Sequence, residues 1–380
     1  MGDIRITGGR VLAEGRLAPG DLAVEDGVIA ALGAGKAART IDATGLLVLP
    51  GIVDIHGDAF ERQLQPRPGV DFPVPLALAE TERQLLANGI TTALHGVTLS
   101  WEPGLRSVET WRTLLDALAA RPWTCDMRVH LRWEAYNLAA LDTAIADIKA
   151  GRVHLLAFND HTPAIMKRLG DPVKASKYSE RGNLDLAAFR ALAERVAART
   201  AEVPAGLDRI AAAGREAGIA MASHDDDTIT TRDVFRARGA GICEFPMAEA
   251  VGQSAREAGD AVVMGSPNVV RGKSHLGWAS AARLAEAGIC SVLSSDYYYP
   301  CLTNAPFVLA ARGVLDLAAA WPLISTNPAQ AAKLSDRGTI APGKRADLVL
   351  IADTPGAPRV VATIAAGKIA HLNDEGWARL

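Results

Sequence analysis

Short apolar runs separated by helical segments make up the middle of the chain, from residue 50 to about residue 330. The runs are almost continuously apolar, as strands of a parallel sheet buried on both faces are. The segments between them, such as "LDLAAFRALAERVAART" and "GWASAARLAEAG", repeat apolar residues at the helical period. The eight runs are "GIVDIHGD", "TTALHGV", "MRVHLRWE", "VHLLAFNDH", "IAMASHDDD", "GICEFPMA", "AVVMGSPNV" and "CSVLSSDYYY". Their number predicts an α/β fold with a TIM-type (β/α)8 barrel, with an open doubly wound sheet as the alternative.

Both ends of the chain show a different pattern. Residues 3 to 48 and the stretch from about Gly338 consist of short strand-like pieces separated by turns, as in "IRITGGRVLA" and "ADLVLIAD". Because both ends look antiparallel and the middle does not, we expect them to meet as one small β-sandwich domain formed by residues 1–49 and 338–380. Residues 50–337 would then form the barrel, inserted between the two ends.

Composition narrows the classes of function. The chain has 49% hydrophobic and 22% charged residues in 380, enough apolar surface for a large core. Its net charge of -3 gives no general reason to expect nucleic acid or a membrane surface as a partner, so an anionic ligand requires a local cationic cluster. The four cysteines are widely spaced, and the sequence shows neither a signal peptide nor a membrane span. We expect a cytoplasmic protein, with a homodimer as the common default.

Histidines and carboxylates recur where the apolar runs end. Active sites of barrels lie at this C-terminal face and draw residues from several strands. A single histidine there is more often a core residue with satisfied hydrogen bonds, but a converging set of imidazoles and carboxylates requires a cation. The sequence therefore predicts a metal site. The polar residues at the ends of the runs are His56, Asp58, His95, Glu134, Asp160, His161, His224, Asp225 to Asp227, Glu244, Asn268 and Asp296.

The first run, in "PGIVDIHGDAFER", ends with two of the candidate ligands. The strand period of two places His56 and Asp58 on the same side, while Gly57 leaves the other side free for close packing. Mixed imidazole and carboxylate ligands favour zinc, manganese, iron or nickel over calcium, and this set suits two divalent ions. The other predicted ligands are Glu134, His161, His224 and Asp296. The sequence leaves open whether His95, His130 and Asp225 to Asp227 join them; Asp226 and Asp227 fit equally well as caps of the next helix.

Long motifs carry a resemblance to a known family. "GLLVLPGIVDIHGD", "TNPAQAAKL" and "GTIAPGKRADLVLIAD" resemble the amidohydrolase superfamily, metal-dependent hydrolases built on a TIM barrel with a β-sandwich from both chain ends. That superfamily typically has H-x-H at the end of its first strand. This chain departs from the pattern because Asp58 stands in place of the second histidine. By the same resemblance, Asp296 is the general base as well as a metal ligand.

A narrower group matches more of the chain. "DIHGDAFERQLQPRPGVDFP", "FNDHTP", "ASHDDDT", "EFPMAEA", "GSPNVVRGKSH" and "LSSDYYYPCL" resemble the diphosphohydrolases of the carbon-phosphorus lyase pathway, in which H-x-D is itself the pattern. The resemblance implies hydrolysis of a phosphoric anhydride in alpha-D-ribose 1-methylphosphonate 5-triphosphate, with release of pyrophosphate, during phosphonate catabolism. It also implies divalent metal cofactors, with zinc as the first choice, and a sugar triphosphate as the small-molecule partner.

Such a substrate requires cations, and two segments supply them. Arg62 and Arg67 follow the first strand, and a second group follows the seventh strand, where barrels commonly bind phosphate. Forked guanidinium groups match phosphate oxygens, and lysine adds a point charge. The second group, in "NVVRGKSHLGW", comprises Arg271, Lys273, Ser274 and His275. The segment "KASKYSERG" is either a lid or a plain basic loop.

Two other classes of function stay open. An amidohydrolase that cuts a C-N bond, in an N-acyl amino acid or a cyclic amide, fits the same scaffold but has little use for so many cations. A noncatalytic assembly protein would be expected to lose metal ligands, whereas this chain retains all the predicted ones.

Overall fold

The structure, a computed structural model, describes residues 3–33, 38–67, 69–171, 175, 184–272, 280–354 and 356–380. Within these ranges the strands form two sheets, one from the middle of the chain and one from its two ends. The strands are β1 (Ile4–Ala13), β2 (Arg16–Glu25), β3 (Val28–Leu32), β4 (Arg39–Asp42), β5 (Leu47–Pro50), β6 (Ile52–Gly57), β7 (Ile90–Leu99), β8 (Asp126–Glu134), β9 (Leu155–Asn159), β10 (Ala220–His224), β11 (Ile242–Glu244), β12 (Ala261–Gly265), β13 (Val292–Ser294), β14 (Leu348–Ala352), β15 (Arg359–Ala365) and β16 (Lys368–Leu372).

Strands β6 to β13 form the central sheet in sequence order, and each pairs in parallel with the next. Each of the eight predicted runs coincides with or overlaps one of these strands. The sheet closes on itself, because Gly57 at the end of β6 forms a parallel bridge with Asp296, just after β13. The prediction of a TIM-type barrel is therefore confirmed over the open doubly wound sheet.

Helices follow the barrel strands and pack apolar side chains against the sheet, as Leu85 and Trp111 do. Ser107, Asp185 and Thr228 cap three of them, each accepting a hydrogen bond from a backbone N–H of the first turn. The helices are α1 (Glu61–Leu64), α2 (Val74–Ala87), α3 (Val108–Ala119), α4 (Leu141–Lys149), α5 (Thr162–Arg168), α6 (Leu186–Ala197), α7 (Val203–Glu216), α8 (Ile229–Ala237), α9 (Glu249–Glu257), α10 (Ser266–Arg271), α11 (Ala281–Glu286), α12 (Tyr299–Ala311), α13 (Leu317–Ala320), α14 (Thr326–Ala331) and α15 (Asp374–Trp377). In the described ranges, none is long and apolar enough to cross a membrane.

The second sheet joins the two ends of the chain. Its strands run in the order β16-β15-β14-β5-β1-β2-β3, and β4 pairs with β1. The ends meet where β14 pairs antiparallel with β5, which places Leu348 opposite Pro50. Residues from both ends, such as Ile6 and Val361, share one apolar core. The predicted β-sandwich from both termini is thus confirmed, whereas its exact borders with the barrel stay a prediction.

The barrel closes around a buried carboxylate. Asp54, on β6, accepts hydrogen bonds from the backbone N–H of His56 (3.3 Å) and from the backbone N–H (3.1 Å) and hydroxyl of Ser295. Asp296 donates its backbone N–H to the carbonyl of His56 (3.0 Å), and its own carbonyl accepts from Asp58 (2.9 Å). We call the contact between residues 54–58 and 294–296 the seam. The residues at the predicted site therefore also hold the first and last barrel strands together.

Gly57 gives a test of packing at the seam. A Cβ atom there would lie 2.7 Å from both Asp54 Oδ2 and Ser295 Oγ, so one of these buried groups has to move. We expect Gly57→Ala to lower the free energy of unfolding by roughly 1–3 kcal/mol, the usual cost of overpacking. Chemical denaturation followed by circular dichroism measures it. Gly20→Ala is the matched control, since its Cβ would meet Val11 at an ordinary 3.6 Å. Equal stability of the two variants would contradict a tightly packed seam.

Candidate metal centre and active site

Side chains from several strand ends converge inside the C-terminal end of the barrel. Ligand atoms of His56, His224 and Glu244 lie within 4.8 Å of one another, and so do ligand atoms of His161, His224 and Asp225. His224 belongs to both groups. The described residues therefore provide two adjoining three-ligand groups that share one imidazole. Four of these five residues come from strand ends or the positions directly after them, as predicted for a barrel site.

Glu244 supplies the test of whether these residues fit a divalent ion. Its carboxylate is fully buried at the end of β11, and neither oxygen has a hydrogen-bond donor among the described residues. His56 Nδ1 lies 3.0 Å from Oε1 and His130 Nε2 lies 3.7 Å from Oε2, yet neither contact has hydrogen-bond geometry. A buried carboxylate without a donor is unfavourable, and a divalent cation between it and the imidazoles removes that cost. The donor set therefore fits a metal ion.

Burial keeps the inner imidazoles in the form that binds metals. It lowers the pKa of His56 well below its usual value, and the charge of Arg132 acts in the same direction. Burial also lowers the pKa of His130 to about 3 and that of His95 to about 4. All three rings are therefore neutral near pH 7, with a lone pair free for a cation.

His161 differs because carboxylates hold it. Its Nδ1 lies 3.1 Å from Oε2 of Glu134, and its backbone N–H donates to Oε1 at 3.0 Å. Burial opposes charging of the ring, but Asp225 and Glu134 outweigh it and raise the pKa of His161 to about 9. Glu134 also accepts from the backbone N–H and hydroxyl of Thr162. The structure thus places Glu134 as a support for His161, outside both three-ligand groups.

Asp225 carries the charge that complements two histidines. Its Oδ2 lies 3.1 Å from His224 Nδ1 and 3.9 Å from His161 Nε2. Burial raises its pKa, but the interactions with His224 and His161 dominate and hold that pKa far below the usual range. Asp225 is therefore an ionised ligand candidate at any physiological pH.

Arg132 is the central residue that sequence reasoning missed. Its Nη2 donates to Nε2 of His224 at 3.1 Å, and its Nη1 lies 3.6 Å from Oδ2 of Asp58. Since arginine only donates, Nε2 of His224 accepts this hydrogen bond and is the unprotonated nitrogen. The guanidinium therefore engages a lone pair that a metal ion would use. Strand alternation signals this placement, because "HLRWE" in β8 sets Arg132 on the same side as Glu134.

Asp58 and Asp296 lie beside the two groups, outside both of them. Burial raises the pKa of Asp58 to about 6, and the charge of Glu61 adds to the shift. Burial and then the charge of Asp58 raise the pKa of Asp296 to about 7. Gly265 leaves room for Asp296, whose Oδ2 would be only 2.8 Å from a Cβ at that position. A carboxyl group that titrates near neutrality is suited to act as a general base.

Three residues that follow barrel strands adopt the left-handed backbone conformation. They are Asp225 (φ 59°), Phe245 (φ 51°) and Asp296 (φ 56°). Each backbone N–H donates to a carbonyl of the neighbouring strand end, with distances of 2.9, 2.9 and 3.0 Å, so the sheet ladder holds this unfavourable conformation. The conformation redirects the chain at each strand end. As a result two carboxylates lie at the centre of the rim, and the ring of Phe245 packs between those of His56 and His224.

Two of the predicted phosphate-binding arginines contact Tyr297, next to Asp296. The guanidinium of Arg62 lies 5.9 Å from the centre of the Tyr297 ring, and Nη1 of Arg271 lies 3.4 Å from the Tyr297 hydroxyl. Arg67 is exposed in the turn after α1, with a backbone bridge to Val70. The predicted phosphate-binding residues Lys273, Ser274 and His275 lie outside the described residues, as does the segment "KASKYSERG" apart from Ala175.

The sequence left open whether His95, His130 and Asp225 to Asp227 belong to the site, and the structure shows which of them line the centre. His130 donates from Nδ1 to the carbonyl of Ile55 (2.9 Å), and its ring lines the centre beside Glu244. His95 is buried against Phe60 and belongs to neither three-ligand group. The carboxylate of Asp226 accepts a hydrogen bond from the hydroxyl of Ser223 inside the wall of the barrel. The carboxylate of Asp227 accepts one from the hydroxyl of Thr231 in the first turn of α8. Of the three successive aspartates, Asp225 alone faces the centre.

Comparisons with known proteins agree with this geometry. Residues 77–371 match the model of an amidohydrolase family. The chain is 32% identical over 353 residues to the alpha-D-ribose 1-methylphosphonate 5-triphosphate diphosphatase of Escherichia coli (strain K12), covering 90% of this chain and 93% of that protein. It is 29% identical over 370 residues to an adenine deaminase of Methylobacterium sp. (strain 4-46), covering 92% of this chain and 56% of that protein. A solved amidohydrolase structure from an environmental sample of the Sargasso Sea superposes with a TM-score of 0.67 at 16% identity, covering 98% of this chain and 93% of that one.

The chain belongs to the amidohydrolase family, and it is a hydrolase. Members of this superfamily typically use divalent metals, and the chain has two candidate groups of ligands for them. The resemblance predicted from the sequence is thereby confirmed.

His224 provides the sharpest test of the metal centre, because both ligand groups depend on it. We expect His224→Ala to lose at least half of the divalent metal that copurifies with the protein, measured by inductively coupled plasma mass spectrometry. His371→Ala is the control, since that imidazole lies in β16 of the terminal sheet. Wild-type metal content in His224→Ala would remove this residue from the ligand set.

Proposed function

We propose that the enzyme hydrolyses a phosphoric anhydride in alpha-D-ribose 1-methylphosphonate 5-triphosphate and releases pyrophosphate. The observation that carries the proposal is the convergence of guanidinium groups around the carboxyl groups of Asp58 and Asp296. Arg132 contacts Asp58, and the charges of Arg106 and Arg62 also act on that carboxyl group. The similarity to the Escherichia coli diphosphatase over nearly the whole of both chains supports the same substrate class.

The arginines match the charge of a triphosphate. Arg62 lies in α1 and Arg271 ends α10, the helices after the first and seventh barrel strands, and both side chains contact Tyr297, next to Asp296. Guanidinium groups bind phosphate oxygens through paired, charge-assisted hydrogen bonds. In the proposal, Arg132 lies deepest and binds the phosphate next to the reacting bond, while Arg62 and Arg271 bind the outer phosphates. The leaving pyrophosphate therefore forms among cations that stabilise its charge.

The two ligand groups would hold the divalent ions, and zinc is the metal we propose first because imidazoles and carboxylates are mixed. Bound ions supply Lewis acidity and neutralise negative charge on the phosphates. Asp58, Glu134 and Asp296 stay predicted as further ligands. Glu134 holds His161 in place through its backbone and its ring, and thereby fixes one member of the outer group.

Asp296 is proposed as the general base. Its carboxylate takes a proton from the attacking water, whose oxygen forms a bond to phosphorus while the bond to the pyrophosphate oxygen breaks. The pKa of about 7 caused by burial and the charge of Asp58 makes this carboxylate basic enough to accept a proton at neutral pH. The left-handed conformation at Asp296 and its backbone bonds to His56 and Asp58 fix the position of the base.

A C-N bond hydrolase is the second candidate function. The similarity to an adenine deaminase over 92% of this chain favours it, as does the name of a structural neighbour, a D-hydantoinase with a TM-score of 0.63 at 14% identity. An amide or a nucleobase carries little negative charge, so it offers no partner for Arg62, Arg132 and Arg271 together. We therefore rank anhydride hydrolysis first.

A substrate panel decides between the two candidates. Metal-loaded enzyme is assayed for pyrophosphate release from alpha-D-ribose 1-methylphosphonate 5-triphosphate and from nucleoside triphosphates, and for ammonia or amine release from adenine, hydantoins and N-acyl amino acids. We expect pyrophosphate from the ribose methylphosphonate triphosphate, with the highest kcat/KM of the panel. Cleavage of a C-N substrate without any pyrophosphate release would overturn the proposal and leave the fold and the family unchanged.

Asp296→Asn tests the proposed base. The amide cannot accept the proton of the attacking water, so we expect kcat to fall at least about 100-fold, the lower range for loss of general base catalysis. Metal content, measured in parallel, should stay near that of the wild type. Asp227→Asn is the matched control at the same rim, because Asp227 is exposed and bonded to Thr231, and its activity should stay within about twofold. Full activity of Asp296→Asn would exclude it as the base.

A further inference from the structure

A second cavity lies at the opposite end of the barrel from the metal centre. It has a volume of about 620 Å³, and the first residues of strands β10 to β13 form part of its wall. Ala220 opens into this cavity, whereas His224 at the other end of the same strand faces the metal centre. At about 3.3 Å per residue, these two ends of β10 lie roughly 13 Å apart. The cavity is therefore separate from the proposed active site.

The charge of the cavity wall has one sign. Arg215, Arg256 and Lys333 line it, and the lining that the structure describes contains no aspartate or glutamate. The other lining groups are glycines, small apolar side chains and the neutral polar side chains of Ser291, Asn327 and Gln330. Three cationic side chains around a common volume repel one another unless an anion lies between them. The composition of the wall thus favours a negatively charged ligand.

The three cations are oriented by backbone carbonyls. Arg215 Nη1 donates to the carbonyl of Arg238 (2.7 Å), Arg256 Nη1 to that of Asp260 (3.0 Å) and Lys333 Nζ to that of Gly218 (2.9 Å). None of the three forms an ion pair within the described ranges, although Arg232 and Arg236 nearby both bind the carboxylate of Asp260. The carbonyls hold the three side chains in place without neutralising them, and each arginine keeps donors for a further partner.

Lys333 also occupies an unfavourable backbone conformation. It follows α14 with φ 59°, in the left-handed region where helices usually end with glycine. Backbone energetics alone would favour glycine at this position. The lysine side chain crosses to the start of β10 and donates to the carbonyls of Gly218 and Ile219. A lysine at this position therefore has an unfavourable backbone conformation but provides a cation in the cavity wall.

We propose that this cavity binds an anion with a phosphate or phosphonate group, held by Arg215, Arg256 and Lys333. Two guanidinium groups and one ammonium group match such a group, which offers three oxygens and up to two negative charges. The anion would bridge the C-terminal turns of α7 and α9, which carry Arg215 and Arg256, to Lys333 after α14. This inference does not depend on the identity of the substrate at the metal centre.

Binding is tested with the full-length, metal-loaded protein and two probes, inorganic phosphate and ribose 5-phosphate, by isothermal titration calorimetry at low ionic strength. We expect the Arg256→Met/Lys333→Met double variant to bind the preferred probe at least about tenfold more weakly than wild type, as loss of charged hydrogen bonds implies. Binding at the metal centre is common to both proteins, so the difference isolates the cavity. Tighter binding of inorganic phosphate would indicate free phosphate as the ligand, and tighter binding of ribose 5-phosphate would indicate a phosphorylated metabolite.

Two controls separate binding from a structural role. Lys344→Met removes a half-buried lysine that also donates to a backbone carbonyl, that of Ser335. Because Lys344 lies outside the cavity wall, this variant should leave binding unchanged. Lys333→Gly removes the cation and puts a residue that adopts the left-handed conformation freely at this position. This variant should bind the probe more weakly than wild type, yet its free energy of unfolding should be at least that of Lys333→Met. If the double variant fails to fold, Arg215→Met replaces it, because that side chain is exposed. Equal affinity of the folded cavity variant and wild type for both probes would overturn the proposal.

Discussion

The first and last strands of the barrel are joined by backbone hydrogen bonds from the residues of the predicted site. Asp296 donates to His56 and accepts from Asp58, and the buried carboxylate of Asp54 takes two hydrogen bonds from Ser295 across the same contact. A buried carboxylate needs such donors, so closure of the barrel satisfies Asp54 and at the same time fixes Asp296 beside Asp58. Barrel stability and the position of the proposed base therefore depend on the same few atoms.

Burial then sets the electrostatics of the centre. It raises the pKa values of Glu244, Asp58 and Asp296 and lowers those of His56 and His130, so it drives both kinds of group toward the uncharged state. A bound divalent ion would favour the ionised form of the carboxylates, and neutral imidazoles could bind it. Arg132 supplies positive charge near several of these groups through protein atoms alone. The centre therefore has a charge balance that a bound divalent ion would improve, and binding of that ion would add to the stability of the fold.

The sequence was sufficient for the fold because eight apolar runs with helical segments between them leave few architectures open. It also located the rim of the barrel, since polar residues at strand ends converge there. It could not tell which of adjacent carboxylates point inward: Asp225 does so because of its left-handed backbone, which no periodicity reports. Glu244 ends a strand of three residues, too short for a pattern, whereas the alternation in β8 carries a signal for Arg132 that sequence reasoning missed. Lys273 and its neighbours stay a prediction.

The seam also sets when the centre can exist during synthesis of the protein. Asp54 and Ser295 are 241 positions apart, so the chain must be made at least as far as Ser295 before these two residues can meet. A ribosome-bound chain that stops before β13 has His56 and His224 but lacks the base and the last strand. The terminal sheet imposes the same order, because β5 waits for β14. Competence for hydrolysis therefore comes only with a complete chain, and an unfinished product of translation has an open barrel without the reactive centre.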